Sequence, residues 1–275
     1  MSFGSDEVAQ SNKTPSLFQP VSMRHDPKLD NIPRGLTSRG VHKTILEYLL
    51  QSEDGLDGKA LLDIPCGEGS FMSSLRLFFP NALLRGCDRQ KPLNVAQEEF
   101  CLIDANQPFT VFRETQFDVI CSISGVMEFD NTLQFFTQCR NHLREGGAFL
   151  VTNDNVAGIR DRLSYFWLGR PKQYSLLVTK NQPTWKVLSI SNIVRILQDA
   201  GFHIREIRYV PLRWKDWLWL PLALLIYPVQ YLHLRRANSP MPMALRQAMY
   251  PFQSLLSRHY IIICKKQPND PFVTR

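Results

Sequence analysis

The stretch from Leu61 to Phe71, with the sequence LLDIPCGEGSF, constrains the fold more than any other part of the chain. A short apolar run ends at the acidic residue Asp63 and leads into a Gly-x-Gly turn formed by Gly67 and Gly69. Glycine has no Cβ and reaches positive φ at little cost, so a nucleotide-like ligand can lie directly against the backbone of such a turn. The pattern predicts a β-strand followed by a ligand-binding loop.

Apolar runs typical of strands alternate with segments of helical periodicity along most of the chain. Predicted strands cover residues 59–64, 82–87, 100–103, 117–122, 148–152, 203–210 and 260–264. Predicted helices cover residues 37–51, 71–79, 133–143 and 191–200. Regular β-α alternation is typical of a parallel sheet with helices on both faces. We therefore expect an α/β, doubly wound, mostly parallel Rossmann-like sheet of seven strands, with a helical apolar insertion between the last two.

Composition divides the chain into four parts. We expect a polar N-terminal arm at 1–36, a main domain at 37–210 plus 258–266, an apolar and basic insertion at 211–257, and a tail at 267–275. The first 20 residues have neither an apolar core nor a cleavage-like site, which argues against a secretory signal. The six cysteines show no C-x-x-C spacing, so they predict reduced thiols and a cytoplasmic protein.

Polar side chains follow several predicted strands at their carboxyl ends, where ligands of such sheets bind. These residues are Asp63, Asp88, Asp104, Ser122 and Ser124. A carboxylate after the second strand can accept hydrogen bonds from both hydroxyls of a ribose, and one after the third from an adenine amine. A dinucleotide-binding Rossmann domain is the competing interpretation. The loop lacks G-x-G-x-x-G, however, and Glu68 would put negative charge beside a pyrophosphate.

Six motifs then occur in a recognisable order: LDIPCGEG at 62–69, CD at 87–88, IDA at 103–105, FDVICSISGVME at 117–128, LREGGAFLV at 143–151 and LQDAGF at 197–202. With these motifs the chain resembles the class I S-adenosylmethionine-dependent methyltransferases. It is most similar to the branch that includes ubiquinone-biosynthesis O-methyltransferases and methyltransferases of lipid-linked or polysaccharide substrates. The resemblance implies S-adenosylmethionine as cofactor, bound by Asp63, Pro65, Gly67, Gly69, Asp88, Asp104, Ala105, Ser122 and Ser124.

Two residues depart from the family pattern. Pro65 stands where the family usually has a first glycine, which fixes φ and removes one amide donor. Phe129 stands where the family commonly has a histidine, so no histidine base is expected at that position. If the acceptor is a hydroxyl, a base would assist the transfer. Glu128 and Asp154 are the catalytic candidates because each follows a central strand, and a structural capping role is the alternative for both. The six histidines lack ligand spacing, so no metal site is expected.

The insertion contains 18 residues, Trp217 to Leu234, without a Lys, Arg, Asp or Glu. A helix of that length reaches about 27 Å, nearly the thickness of the hydrocarbon layer. Pro221 and Pro228 are expected to interrupt the helix, and the strands that flank the insertion must pair in one sheet. The sequence therefore predicts a kinked helical hairpin that enters one leaflet from the cytoplasmic side. A lid on the protein's own core or on another subunit is the alternative.

Charge supports the membrane interpretation. Residues 205–266 contain ten Lys and Arg against two acids, while the rest of the chain has a net charge of −1. Because aromatic and aliphatic residues interleave with these basic residues, an anionic membrane surface is a better partner for residues 211–257 than nucleic acid.

Three functions follow from this sequence. The first is a membrane-associated methyltransferase for an amphipathic or lipid-linked acceptor, such as a quinone precursor, a polyprenyl-linked glycan or a glycolipid. The second is a soluble small-molecule or glycan methyltransferase whose insertion is a lid or dimer contact. The third is a non-catalytic S-adenosylmethionine-binding module. The acceptor, the methylated atom and the oligomeric state stay open at this point.

Overall fold

A computed structural model describes residues 26–52, 55–172, 186–236 and 240–267. Within these residues seven strands form one sheet in the order β3-β2-β1-β4-β5-β7-β6. The strands are β1 Ala60–Asp63, β2 Leu83–Asp88, β3 Phe100–Leu102, β4 Phe117–Ser122, β5 Leu143–Asp154, β6 Phe202–Tyr209 and β7 His259–Lys266. Neighbours among β1 to β5 pair in parallel, whereas β7 runs antiparallel to both β5 and β6. The expected mostly parallel sheet of seven strands is confirmed.

The α-helices of the described residues are α1 Val41–Gln51, α2 Ser70–Phe78, α3 Thr132–His142, α4 Ile159–Leu168, α5 Ile190–Asp199, α6 Leu220–Arg236 and α7 Met243–Met249. They cover both faces of the sheet. Leu61 of β1 packs in one core with residues of α1 and α2, and its neighbour Leu62 packs in another with residues of α3 and α5. Successive residues of a strand point to opposite faces, so a strand that is apolar at every position needs helices on both sides.

The strand β5 begins five residues before the predicted start at residue 148. Leu143 pairs with Phe117, and the register with β4 then shifts before Val119 pairs with Ala148. Residues 145–147 therefore lie within an irregular part of the strand, where Gly146 has φ +72°.

The insertion has a small core of its own and is also tied to the sheet. Ala223 of α6 packs with Ile159 of α4 in a third apolar cluster. Met249 at the end of α7 belongs to the core beneath the sheet, and its carbonyl accepts a hydrogen bond from the Tyr209 hydroxyl. The C-terminal part of the insertion is therefore packed against the main domain.

The helix α6 is continuous from Leu220 to Arg236, so the expected interruption at its two prolines is wrong. Pro221 lies in the first turn, where a missing N–H needs no partner, and Pro228 lies inside the helix, where it removes one hydrogen bond. A helical hairpin does form, because Arg246 Nη1 of α7 donates to the Leu234 carbonyl at 2.7 Å.

All six cysteines are free thiols and five of them are buried, as their spacing predicts. The described part of the N-terminal arm contacts the main domain. Leu29 is buried, and the Pro33 carbonyl lies 2.7 Å from His42 Nδ1 of α1.

Candidate cofactor and acceptor site

The loop between β1 and α2 has the backbone that its glycines predict. Gly67 has φ +52° and Gly69 has φ +73°. A Cβ on Gly69 would lie 2.6 Å from Val95 Cγ2, so packing also requires glycine there. A Cβ on Gly67 would meet only Leu36 Cδ1, at 3.7 Å, among the residues that the structure describes. The backbone of Gly67 is therefore open to a ligand.

Pro65 is accommodated by a glycine on the neighbouring strand end. A Cβ on Gly125 would lie 2.6 Å from both Cδ and Cγ of Pro65. Gly125 follows β4, and its missing side chain provides the space that the proline ring occupies. The fold thus accommodates the ring of Pro65, and Gly125 is a residue of the site that sequence reasoning did not identify.

A cleft opens at the carboxyl ends of β1, β2 and β3. It encloses about 390 Å³, including solvent at its open side, and its lining consists of Ile64, Pro65, Cys87, Asp88, Arg89, Ile103, Ala105, Glu128 and Phe129. Four of the predicted site residues, Pro65, Asp88, Ala105 and Glu128, therefore come together. The lining combines an apolar wall, suited to a flat ring such as adenine, with a few polar groups, as is typical of small-molecule sites.

The carboxylate of Asp88 is held in place by backbone amides. Its Oδ2 accepts a hydrogen bond from Gly67 N at 2.8 Å, and its Oδ1 accepts one from Arg89 N at 2.6 Å. Each carboxylate oxygen has two acceptor positions, so both oxygens can still accept from a ligand. The contact with Gly67 also couples this acid directly to the glycine loop.

Asp104 lies at the rim and is not among the lining residues. Its Oδ1 accepts from the Asn106 amide at 3.0 Å and from Arg89 Nη2 at 2.9 Å. The pKa of the Asp104 carboxyl is lowered, first by the Asn106 amide and also by Arg89, although burial acts in the opposite direction. These bonds use one oxygen only, so Oδ2 is available to a ligand at the mouth of the cleft.

Asp63 is buried behind the loop, with 1% of its surface exposed. Its Oδ1 has no hydrogen-bond partner among the described residues. Burial raises the pKa of this carboxyl well above its ordinary value, and repulsion from Asp88 raises it further. A positively charged ligand group near this pair would stabilise the ionised form.

The two predicted serines have different surroundings. Ser122 is fully buried, and no described residue bonds its hydroxyl. Ser124 has φ +54°, and its hydroxyl lies 2.7 Å from Thr37 Oγ1. Its amide donates to Thr152 Oγ1 at 2.9 Å. A non-glycine residue at positive φ is uncommon and is often found at functional sites. Thr37, which joins the chain before α1 to this point, is a second residue that the sequence patterns did not identify.

The two catalytic candidates lie in different environments. Glu128 lines the cleft, whereas Asp154 is 6% exposed at the end of β5. Asp154 Oδ1 lies 2.9 Å from Nε2 of His259, the first residue of β7. A histidine, His259, therefore lies at the carboxyl edge of the sheet, although position 129 is a phenylalanine. Within the described ranges no group of three His, Cys, Asp or Glu residues could hold a metal ion.

Comparison with known proteins agrees with this geometry. Residues 38–207, more than half of the chain, match the family described as "Methyltransferase domain". No curated protein matches the chain significantly.

Solved structures share the fold at low sequence identity. The Haloferax volcanii complex of the Trm112 methyltransferase activator with a candidate methyltransferase gives a TM-score of 0.51 at 14% identity, covering 84% of this chain and 90% of that one. Haemonchus contortus phosphoethanolamine N-methyltransferase 2, solved with S-adenosyl-L-methionine, gives 0.50 at 17% identity, covering 86% of this chain and 55% of that one. An S-adenosylmethionine-dependent methyltransferase from Archaeoglobus fulgidus gives a TM-score of 0.49 at 14% identity, covering 83% of this chain and 96% of that one. The family match shows that the chain belongs to the methyltransferase-domain family, and its seven-stranded sheet has the fold of the first two of these structures.

Proposed function

We propose that this methyltransferase works at an anionic membrane surface and methylates an amphipathic or lipid-linked acceptor. The observation that carries the proposal is the exposure of α6 and the turn before it. Trp214–Arg236 is long and apolar enough to cross a membrane, yet only 11% of its most apolar window is buried inside the protein. The core helix of a soluble protein is mostly buried, so the exposed apolar side chains of this helix are available to another apolar environment.

The exposed side chains form an extensive apolar surface. It consists of Trp214, Trp217, Leu218, Leu224, Leu225, Val229 and Leu232 of the insertion with Tyr165, Phe166, Trp167 and Leu168 of α4. The two helices are joined by Arg162 Nη2, which donates to Gln230 Oε1 at 2.7 Å. Large exposed apolar patches mark sites of protein or membrane interaction.

The charges at the ends of this apolar surface favour a membrane as its occupant. The ammonium group of Lys215 lies 5.2 Å from the centre of the Trp214 ring, and the guanidinium of Arg235 lies 5.6 Å from that of Tyr231. Aromatic and basic residues are both enriched where protein meets lipid headgroups, and basic residues are attracted to anionic lipids. An apolar contact with a second protein subunit would not require basic side chains beside aromatic rings at both ends of the surface.

The sheet brings the apolar surface to the same edge as the cofactor cleft. Because β7 is antiparallel to both of its neighbours, β6 runs in the same direction as β5. The insertion thus leaves β6 at the carboxyl edge and returns there at His259. The other α-helix in the described part of the insertion, α7, has seven residues and spans about 10 Å, too short to cross back. We infer that α6 lies in the membrane interface and that the acceptor reaches the site from the lipid.

Residues of the cleft suit the cofactor. We infer that Asp88 accepts the ribose hydroxyls, that the open backbone of Gly67 contacts the ligand, and that the acidic pair Asp63 and Asp88 favours its positive charge. S-Adenosylmethionine supplies a methyl group already activated by a sulfonium, so the protein has mainly to align the acceptor and exclude water. Glu128 is placed in the cleft to take a proton from a hydroxyl acceptor.

Vesicle binding tests the membrane proposal. The full chain should cosediment with vesicles that contain phosphatidylglycerol more than with pure phosphatidylcholine. The double variant Leu218→Gln/Leu225→Gln should bind at least about tenfold more weakly, because each leucine contributes up to about 1.5–3 kcal/mol of apolar transfer. The double variant Leu77→Gln/Leu133→Gln, which changes exposed leucines of α2 and α3, is the matched control and should bind as the wild type does.

Two results would overturn the proposal. One is equal vesicle binding by the wild type and the Leu218→Gln/Leu225→Gln variant. The other is a wild-type dimer in solution that this variant converts to a monomer, as measured by light scattering, since the apolar surface would then be a subunit contact.

A further inference from the structure

A second cavity lies at the same edge of the sheet as the cofactor cleft, at the ends of β6 and β7, and is strongly basic. It encloses about 200 Å³, including solvent at its opening, and its lining consists of Ser38, Arg39, Val210, Pro211, Arg213, Asp216, Arg258 and His259. These residues come from the segment before α1, the chain that leaves β6 and the start of β7. We call this cavity the basic pocket.

One carboxylate stands among three guanidinium groups in the basic pocket. Asp216 is 2% exposed, and its Oδ1 accepts from Nε and Nη2 of Arg258 at 3.0 and 2.8 Å. Its Oδ2 accepts from the Arg213 backbone amide at 2.9 Å. Asp216 therefore fixes Arg258 and the backbone of Arg213. Among the described residues, the side chains of Arg39 and Arg213 have no carboxylate partner, which leaves an excess of two positive charges.

More arginines surround the basic pocket. Burial, and then Arg258, lower the pKa of the Arg213 guanidinium, and Arg34 and Arg39 lower it further. Asp216 acts in the opposite direction and raises it. Burial and then Arg258 also lower the pKa of Arg160, which lies in the first turn of α4. This crowding of like charges disfavours the free protein, and a bound anion would relieve it.

The ring nitrogens of His259 lack hydrogen-bond partners among the described residues. This histidine lines the basic pocket and is 3% exposed. Nε2 lies 2.9 Å from Asp154 Oδ1 without forming a directed hydrogen bond, and Nδ1 has no partner among the residues that the structure describes. A buried polar group without a partner costs about 1–3 kcal/mol, so such groups are normally paired. A ligand with acceptor oxygens would pair with it.

A short segment connects the basic pocket with the cofactor site. Leu36 lies over Gly67, Thr37 contacts Ser124, and Arg39 lines the basic pocket. Arg39 lies three positions after Leu36 in the sequence, so their Cα atoms are at most about 11 Å apart. An acceptor that contacts both sites would therefore carry its anionic group several bonds from the atom that receives the methyl group.

We propose that the basic pocket binds a phosphoryl group, with Arg39, Arg213 and Arg258 as the main ligands and His259 as a further donor. This inference rests on the proposed function, because it assigns the phosphoryl group to the amphipathic acceptor. The guanidinium group presents a planar array of donors that matches phosphate oxygens. A phosphomonoester carries a charge of about −1.5 to −2 at neutral pH, which matches the excess positive charge.

Binding of a soluble phosphomonoester tests the proposal. The full chain is titrated with glycerol 3-phosphate by calorimetry, in the presence of S-adenosylhomocysteine. We expect saturable binding that weakens at least tenfold in Arg39→Gln and in Arg213→Gln. The matched control Arg195→Gln removes an exposed arginine of α5 that pairs with Asp199, and it should bind as the wild type does. Affinity for S-adenosylmethionine and thermal stability, measured on all variants, report whether the fold and the cofactor site are intact.

A second arm identifies the source of the phosphoryl group. Vesicles that contain phosphatidate replace glycerol 3-phosphate as the probe. If the binding of both probes depends on Arg39 and Arg213, the basic pocket is supported. If only vesicle binding depends on these arginines, the basic pocket is also supported, and its phosphoryl group belongs to a lipid headgroup. The proposal is overturned if neither probe distinguishes the two variants from the wild type. If phosphomonoester binding depends on Arg39 while vesicle binding does not depend on Leu218 and Leu225, the membrane proposal fails and the basic pocket stands.

Discussion

Replacing Asp63 with asparagine should stabilise the cofactor-free protein, and the gain should grow as the pH rises. The carboxyl is almost completely buried, and its Oδ1 lacks a partner among the described residues. Burial, and then Asp88, raise its pKa well above the ordinary value of 3.8. The folded protein therefore holds a proton that the unfolded chain releases.

The size of the effect follows from linkage. Because the folded pKa is raised, stability from the protonated carboxyl is greatest at low pH and is lost as the pH rises from 3.8 towards the folded pKa. Across that window the free energy of unfolding falls by about 1.4 kcal/mol per pH unit. Asparagine does not titrate, so the variant lacks this loss. For a domain of this size 1 kcal/mol shifts Tm by about 2 °C, so the two Tm values should diverge by about 3 °C per pH unit.

Thermal unfolding of both proteins from about pH 4 to pH 8 measures this divergence, which extends from the unfolded pKa to the folded pKa. Asp199→Asn, which removes the carboxylate of an exposed ion pair with Arg195, is the control and should run parallel to the wild type. Parallel curves for the wild type and Asp63→Asn would refute the reasoning, because the carboxyl would then have the same pKa in the folded and unfolded states. Asp63→Asn should bind S-adenosylmethionine more weakly, since asparagine cannot ionise when the sulfonium approaches and therefore supplies no balancing charge.

Three further results are expected. Asp88→Asn should weaken S-adenosylmethionine binding about 10- to 100-fold by calorimetry, through the loss of a charge-assisted hydrogen bond; an unchanged affinity would contradict the ribose assignment. Gly125→Ala places a Cβ 2.6 Å from Pro65 and should lower the free energy of unfolding in urea by about 1–3 kcal/mol. The loss should be smaller when Pro65 is also replaced by glycine, and an equal loss in both backgrounds would exclude this clash as the cause. Burial raises the pKa of the Cys66 and Cys121 thiols, so both should react with iodoacetamide at pH 8 far more slowly in the native protein than in urea, as read by mass spectrometry.

The parts of the site that sequence predicts well are those that depend on neighbouring residues. Positive φ at Gly67 and Gly69 follows from a strand that turns sharply into a helix, and the structure has both. The positions of Asp88 and Ala105 follow from the ends of their strands, because a parallel sheet brings those ends to one edge. Both residues line the cleft.

Interactions between distant segments could not be predicted in this way. Gly125 accommodates Pro65 from another strand, and Thr37 reaches Ser124 across 87 positions of sequence. The helix α6 continues through Pro228 because its other hydrogen bonds compensate for the single missing one, a balance that the presence of proline alone does not show.

The direction of β7 explains why the basic pocket lies at the ligand edge. The apolar run at 260–264 predicts a strand, but its pattern is equally compatible with either direction in the sheet. Because β7 runs antiparallel to β5, Asp154 at the end of one pairs with His259 at the start of the other. In a fully parallel sheet His259 would lie at the opposite edge, and so would Arg258 and the end of the insertion. The single reversed strand therefore brings a histidine, an arginine and the apolar surface to the edge where the cofactor cleft opens.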